Sequence, residues 1–232
     1  MHAIANTAAS LEPLLQDRRL WRGQDAPQAR RSTHPTGCAA LDAALPGGGW
    51  PEAALVEVMI AADGVGELAL LLQTLAALSR ADRPVLVVAP PYRVYAPAWQ
   101  AAGLRLSRLH LVEAAPKDAL WVMEQALRAG CCGAVLGWPL QADDHALRRL
   151  QVAAEAGQTL GIAFRSLRAR DNPSPAPLRL SLRGGGDGGR PELRLLKCRG
   201  ALPPAGALPF HPAALAHPAP AARVHPCTSF RH

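Results

Sequence analysis

Short apolar runs alternate with amphipathic stretches through the middle of the chain. The apolar runs are typical of strands and lie at 55–60, 85–89, 109–112, 134–136 and 160–164. The stretches between them predict helices and lie at 67–80, 93–102, 117–129 and 143–156. Strands that alternate with helices at this spacing join into a parallel sheet covered on both faces, so the pattern predicts an α/β fold. The run LVVA at 86–89 is apolar at every position, which is expected of a strand buried on both sides.

The pattern changes after residue 165. Residues 178–183 and 192–198 alternate apolar with charged positions, as strands with one wet face do. The glycine-rich stretch 184–189 between them predicts a turn or a flexible loop. We therefore expect two antiparallel strands at one edge of the parallel sheet, at the C-terminal end of the domain.

Four segments follow from these patterns. Residues 1–24 predict an N-terminal arm that contains a short amphipathic helix, and 25–35 lack periodicity and predict a linker. Residues 36–199 form the α/β core. Residues 200–232 are rich in Pro and Ala without periodicity, which predicts a disordered tail.

Composition narrows the class of protein. The 232 residues contain no apolar run of the roughly 18 to 20 residues that span a bilayer, and no secretory signal begins the sequence. Five cysteines without metal-type spacing are typical of reduced thiols, so we expect a cytoplasmic protein without a metal site. The net charge of +7 is concentrated in residues 165–199, where eight Arg and one Lys face three acidic residues. Such a segment attracts phosphates or an acidic partner surface.

The most informative stretch is residues 35–66, PTGCAALDAALPGGGWPEAALVEVMIAADGVG. It contains a Thr-Gly turn, a Leu-Asp pair, a glycine-rich turn, a strand with Glu57 and a second glycine loop. This order resembles the start of the RecA-like recombinase core, where the strand leads into a phosphate-binding loop. The resemblance covers about residues 10–200 and implies a RecA-like sheet.

The loop itself departs from that pattern. A phosphate-binding loop needs G-x-x-x-x-G-K-[ST], whose lysine neutralises phosphate and whose hydroxyl helps to hold Mg²⁺. Of that pattern only Gly66 survives, and the other three positions hold Ala61, Glu67 and Leu68. Glu67 places negative charge where the lysine belongs, so we expect no nucleotide binding.

Two further positions agree with this loss. Active recombinases carry a catalytic Glu after the next strand, and here Pro90 and Pro91 follow that strand. They carry an Mg²⁺-orienting Asp after a later strand, where this chain has Gly137 and Trp138. The sequence therefore predicts a protein with no catalytic residues and no cofactor. A divergent ATPase is the enzyme alternative.

Within that superfamily the chain most resembles the ImuA family. The motifs that carry this resemblance are LWRG at 20–23, PTG at 35–37, LD at 41–42, LPGGGWP at 45–51 and LKCRG at 196–200. It implies an accessory factor of the SOS response that supports translesion DNA synthesis at the nucleoid. The implied partners are the recombinase RecA, the inactive Y-family polymerase homologue ImuB and an error-prone replicative-type polymerase. The SulA-type division inhibitors share the same stripped fold, and a protein that binds the tubulin-like division protein is the alternative.

Two candidate contact sites remain, each with an alternative. Leu20, Trp21 and Arg22 in the arm either dock on a partner such as a recombinase subunit or fold back on their own sheet. The basic residues Arg165, Arg168 and Arg170 lie where active recombinases carry a DNA-contacting loop. They either contact DNA or an acidic partner, or form a solvated loop in an Arg-rich protein. The segment 165–177 contains no aromatic residue on which a base could stack, so it lacks the usual feature of a single-strand binding site.

Overall fold

The computed structural model of the chain describes residues 33–184 and 191–212. The strands are β1 Thr33–His34, β2 Trp50–Pro51, β3 Leu55–Ile60, β4 Val85–Val88, β5 Leu109–Val112, β6 Ala134–Gly137, β7 Leu160–Ser166, β8 Leu178–Arg183 and β9 Glu192–Cys198. The α-helices are α1 Ala39–Ala44, α2 Ala69–Arg80, α3 Ala96–Ala101, α4 Pro116–Ala129 and α5 Asp144–Ala156. Two single turns of 3₁₀-helix lie at Leu106–Arg108 and Leu167–Ala169.

Seven of the strands form one sheet in the order β5-β4-β6-β7-β3-β8-β9. All neighbouring pairs are parallel except β8 and β9, which are antiparallel. The predicted α/β fold, with a parallel sheet flanked by helices and an antiparallel addition at its C-terminal end, is therefore confirmed. Strand β8 is itself parallel to β3, so only the outermost strand runs against the rest.

Successive residues of the central strands supply two separate cores. Val56 and Val58 point to the face covered by α1, α2 and α3. Leu55 points to the opposite face, where α4 and α5 pack. Every residue of β3 and of β6 is buried. Continuous hydrophobicity in these strands thus follows from helices on both sides of the sheet.

A short frame before β3 brings the glycine-rich motifs together. The Thr36 backbone N–H donates to the Asp42 Oδ1 at 2.9 Å, which ties the Thr-Gly turn to α1. Strand β1 pairs with β2, so Thr33 and His34 belong to the domain and not to the predicted linker. A Cβ atom at Gly49 would overlap the His34 carbonyl oxygen, which explains a glycine there.

The segment after β9 differs from its prediction. The Leu208 N–H donates to the Leu193 carbonyl at 2.7 Å, and the Phe210 side chain is only 2% exposed. Apolar side chains at 208 and 210 give this Pro-rich stretch something to bury, so residues 208–210 pack against the domain. The tail beyond residue 212, the arm at 1–24 and residues 25–32 of the linker lie outside the described residues.

Among the residues that the structure describes, the helices are too short or too polar to cross a membrane.

Phe210 provides a test of this packing. Phe210→Ala removes a buried ring, so we expect the free energy of unfolding to fall by about 3 kcal/mol. Leu202 lies in the same segment and is 93% exposed, so Leu202→Ala is the matched control, with a change below about 0.5 kcal/mol. Urea denaturation followed by circular dichroism measures both. Equal midpoints for the two variants would mean that the segment does not pack in solution.

Candidate functional site at the carboxyl edge of the sheet

The loop between β3 and α2 holds its own carboxylate. The Glu67 side chain is buried, and its Oε1 accepts hydrogen bonds from the Gly64 backbone N–H at 3.0 Å and from the Tyr92 hydroxyl at 3.1 Å. Gly64 and Gly66 have positive φ values of 81° and 98°, a conformation that favours glycine. The Gly64 N–H, a backbone donor of the kind that binds phosphate in a phosphate-binding loop, is thereby bonded to the Glu67 side chain.

Tyr92 joins this loop to the end of the neighbouring strands. Burial and the Glu67 carboxylate raise the pKa of the Tyr92 phenol well above its ordinary value. The hydroxyl therefore stays protonated at neutral pH and donates its proton to the hydrogen bond with Glu67. The Tyr92 ring meets the Trp138 ring nearly at right angles, with centroids 5.7 Å apart. Trp138 stacks on Phe164 with centroids 4.7 Å apart. Tyr92 and Trp138 therefore lie in the loops after β4 and β6, where the resemblance to recombinases implies catalytic carboxylates.

The C-terminal segment covers the same loop. A Cβ atom at Gly66 would lie 3.0 Å from the Pro212 Cγ and 3.5 Å from the Phe210 ring. Cys38 also contacts this segment, through a 3.5 Å contact from its Sγ to the Pro209 carbonyl oxygen. The space above Gly66 is consequently filled by residues from the far end of the chain.

The structure separates the three arginines that the sequence grouped. Arg165 is buried, and its Nη1 donates to the Glu57 Oε2 at 3.0 Å while its Nη2 donates to the Ala142 carbonyl at 2.6 Å. Its predicted contact with DNA or an acidic partner is therefore corrected: the guanidinium is committed inside the domain. Arg168 and Arg170 are exposed, and Arg170 lies 3.7 Å from the Asp171 carboxylate.

Glu57 is the centre of a buried group of charges. Arg179 of β8 brings its Nε to 3.2 Å from the Glu57 Oε1, and the Ser174 hydroxyl donates to the same oxygen. Lys197 donates to the Ser174 carbonyl at 2.8 Å, and burial, followed by repulsion from Arg179 and Arg199, lowers the pKa of Lys197. The Glu57 carboxylate of β3 is therefore contacted by side chains from β7, from β8 and from the loop between them.

Sequence reasoning identified part of this arrangement. It singled out Ala61, Gly66, Glu67 and Leu68 in the loop, and all four follow β3 as expected. It did not identify Tyr92 or Phe164, because partners separated by 25 or more residues leave no local pattern. Leu20, Trp21 and Arg22 lie outside the described residues, and their contacts stay predictions.

The fold and the site together define a class of protein: an α/β domain with a mostly parallel seven-stranded sheet, in which a buried glutamate is hydrogen-bonded to the glycine loop after β3. Comparison with known proteins gives a more particular similarity. A family model described as cell division inhibitor SulA matches residues 54–161, from just before β3 to the start of β7. The crystal structure of SulA from Pseudomonas aeruginosa is 28% identical over 48% of this chain and 97% of that chain, with a TM-score of 0.41. No curated protein matches the chain. The segment 54–161 is thus SulA-like.

Because Arg165 is buried and Arg168 is exposed, removing each side chain should lower the free energy of unfolding by a different amount. Arg165→Ala leaves the buried Glu57 carboxylate with one guanidinium fewer, so we expect the free energy of unfolding to fall by about 3 kcal/mol. The matched control Arg168→Ala removes an exposed arginine from the same segment and should cost less than about 0.5 kcal/mol. Urea denaturation measures the difference. Similar costs for both variants would contradict the buried ion pair.

The filled loop predicts a second difference, between two acidic residues four positions apart. Glu67→Ala deprives the buried Tyr92 hydroxyl and the Gly64 N–H of their acceptor, which should destabilise the fold by about 1 to 3 kcal/mol. Asp63 is exposed on the same loop, so Asp63→Ala should change the stability by less than about 0.5 kcal/mol. Thermal unfolding compares them. A stabilising effect of Glu67→Ala would show that the carboxylate is a burden to the fold.

Proposed function

We propose that this chain is a non-catalytic accessory protein of an SOS-induced mutasome. In this proposal it supports translesion DNA synthesis and induced mutagenesis by binding RecA and the polymerase homologue ImuB, beside an error-prone replicative-type polymerase. The observation that carries the non-catalytic part is the Glu67 carboxylate, which is hydrogen-bonded to the loop on which an ATPase would hold phosphate.

Electrostatics supports the absence of ATP chemistry. A triphosphate on this loop would meet the buried Glu67 carboxylate, and repulsion between unit charges ~4 Å apart costs on the order of 1 to 4 kcal/mol. Glu67 stands in the place of the lysine that attracts phosphate, so that attraction is missing as well. Pro212 and Phe210 add a steric obstacle over Gly66. A domain of this kind acts through its surfaces.

The mutasome assignment rests on the resemblance to ImuA in the motifs at 20–23, 35–37, 41–42, 45–51 and 196–200. These motifs flank the SulA-like segment 54–161 and are not part of it. An SOS-related role is common to the ImuA and SulA resemblances.

The SulA match favours a second candidate function. A division inhibitor would bind the tubulin-like division protein and block its polymerisation. Residues 54–161 contain the degenerate loop, the Tyr92 and Trp138 rings and the helices α2 to α5. The second candidate is therefore supported by the similarity of this segment alone.

Co-expression separates the two candidates. We expect the chain to co-elute in size-exclusion chromatography with RecA, with ImuB or with both when all three come from the same genome. We also expect it to leave the GTP-dependent polymerisation of the tubulin-like protein unchanged in a sedimentation assay. Polymerisation inhibited in proportion to added protein, without co-elution, would establish the division inhibitor instead.

A repaired loop is the matched control for the non-catalytic role. The triple variant Ala61→Gly, Glu67→Lys and Leu68→Thr restores the phosphate-loop sequence, and we expect the wild-type chain to support damage-induced mutagenesis in cells at least as well. A requirement for the triple variant, or tight ATP binding by the wild-type chain in equilibrium dialysis, would contradict the proposal.

A further inference from the structure

An open cleft of about 1470 Å³ lies beyond the carboxyl ends of β4, β5 and β6. Its walls are the loops that follow these three strands and the first turns of α4 and α5. We call it the β4–β6 cleft. It does not include the degenerate phosphate loop, which follows β3, because β7 lies between β6 and β3 in the sheet.

The β4–β6 cleft lies where open α/β sheets bind ligands. The chain leaves β4 towards α3 on one face of the sheet and leaves β6 towards α5 on the other. Adjacent strands whose connections diverge in this way create a crevice outside their carboxyl ends, which is the usual ligand site of such sheets. Tyr92 and Trp138 line the cleft, and the Tyr92 hydroxyl bonds to Glu67, so these rings separate it from the filled loop.

The walls of the cleft are mainly apolar. The large apolar side chains that line it are Pro90, Pro91, Val94, Leu111, Leu120, Trp138, Pro139 and Leu140. Leu111 is 51% exposed and Leu140 is 55% exposed. Apolar surface left open in a concave site with a polar rim is typical of an interaction site.

The rim of the cleft carries an excess of unpaired positive charge. Arg93 and Lys117 line it and make no ion pair with any residue that the structure describes, whereas Arg149 is paired with Glu124. Counted with Arg149, three cations line the rim against the two carboxylates Glu113 and Asp143, so the lining carries one net positive charge. The amino end of α4 at Pro116 has no side-chain cap and adds partial positive charge, which Asp118 of its first turn partly offsets.

The aromatic chemistry of the cleft favours a polypeptide over a nucleic acid. Single-stranded nucleic acids bind by stacking bases on open aromatic faces. One face of Trp138 is already stacked on Phe164, and its ring also contacts Tyr92. Neither ring therefore offers two open faces for a stacked base, whereas the leucine walls of the cleft suit apolar side chains of a polypeptide.

We propose that the β4–β6 cleft binds an acidic segment of a partner protein, with bulky apolar side chains of that segment on the Leu111 and Leu140 walls and its carboxylates at Arg93 and Lys117. This inference rests on the proposed function only in that the chain acts by binding proteins. It adds the surface and the chemistry of the segment that the surface takes.

Fluorescence anisotropy with short labelled peptides tests the cleft directly. The probe is a fluorescein-labelled ten-residue peptide in which Leu and Phe alternate with Asp and Glu. A second peptide replaces every acidic residue with Lys, and a third replaces every apolar residue with Ser. We expect the first peptide to bind, its affinity to fall as salt is raised, and the other two to bind at least tenfold more weakly.

Matched variants locate the binding. Lys117→Glu reverses a rim charge and should weaken the first peptide about tenfold. Arg105→Glu reverses an exposed charge that precedes β5 and does not line the cleft, and it should change the affinity less than about twofold. Leu140→Ser should weaken binding, and Leu202→Ser at an exposed position outside the cleft should not. All four side chains are exposed, so thermal unfolding should show that each variant keeps the fold.

Four outcomes would overturn the cleft proposal, and a fifth would support the cleft while rejecting the mutasome role. Equal binding of the acidic and the Lys peptides would remove the charge selection, and equal effects of Lys117→Glu and Arg105→Glu would place binding elsewhere. Labelled single-stranded DNA that binds in a Lys117-dependent manner and displaces the acidic peptide would make the cleft a nucleic-acid site. Co-elution of RecA or ImuB that Lys117→Glu and Leu140→Ser leave intact would support the proposed function and reject the cleft. Peptide binding without any co-eluting partner would support the cleft and reject the mutasome role.

Discussion

A carboxylate on the central strand constrains much of this structure. Glu57 is completely buried in β3, and a buried charge is tolerated only when it is paired and hydrogen-bonded. Its two guanidinium partners come from the strands on either side, Arg165 from β7 and Arg179 from β8. The Ser174 hydroxyl adds the loop between those strands. Pairing of one charge thus links three strands of the sheet to the loop that follows β7.

The same constraint explains why the basic segment is not a uniform positive surface. Arg165 and Arg179 neutralise Glu57 from inside the domain, and Lys197 is partly desolvated beside them. The other arginines that the structure describes in this segment face solvent: Arg168, Arg170, Arg183, Arg194 and Arg199. Net charge counted along the sequence therefore overstates the charge that a partner meets.

A second buried carboxylate determines the state of the phosphate loop. Glu67 accepts from the Gly64 N–H and the Tyr92 hydroxyl, and residues 210–212 lie over Gly66. The open space at this edge of the sheet lies two strands away, in the β4–β6 cleft, where Leu111 and Leu140 remain exposed. Arg93 and Lys117 at its rim make no ion pair with a described residue. The motifs that resemble ImuA include buried residues, among them Thr36 and Trp50. These motifs therefore form part of the frame of the domain, whereas Lys117 and Leu140 are exposed.

The sequence by itself determined the order and type of the main elements and showed that the loop after β3 departs from the phosphate-loop pattern. Both are local properties: a run such as 55–60 shows its burial in its own apolar pattern, and Glu67 in the place of a lysine needs no partner to be recognised. Tertiary structure alone decided that Arg165 pairs with Glu57 108 residues away, that Tyr92 caps Glu67, and that Phe210 packs near the loop. It also decided where three strand ends form a cleft. These features depend on which strands become neighbours, and strand order arises from pairing between distant segments that no local pattern records.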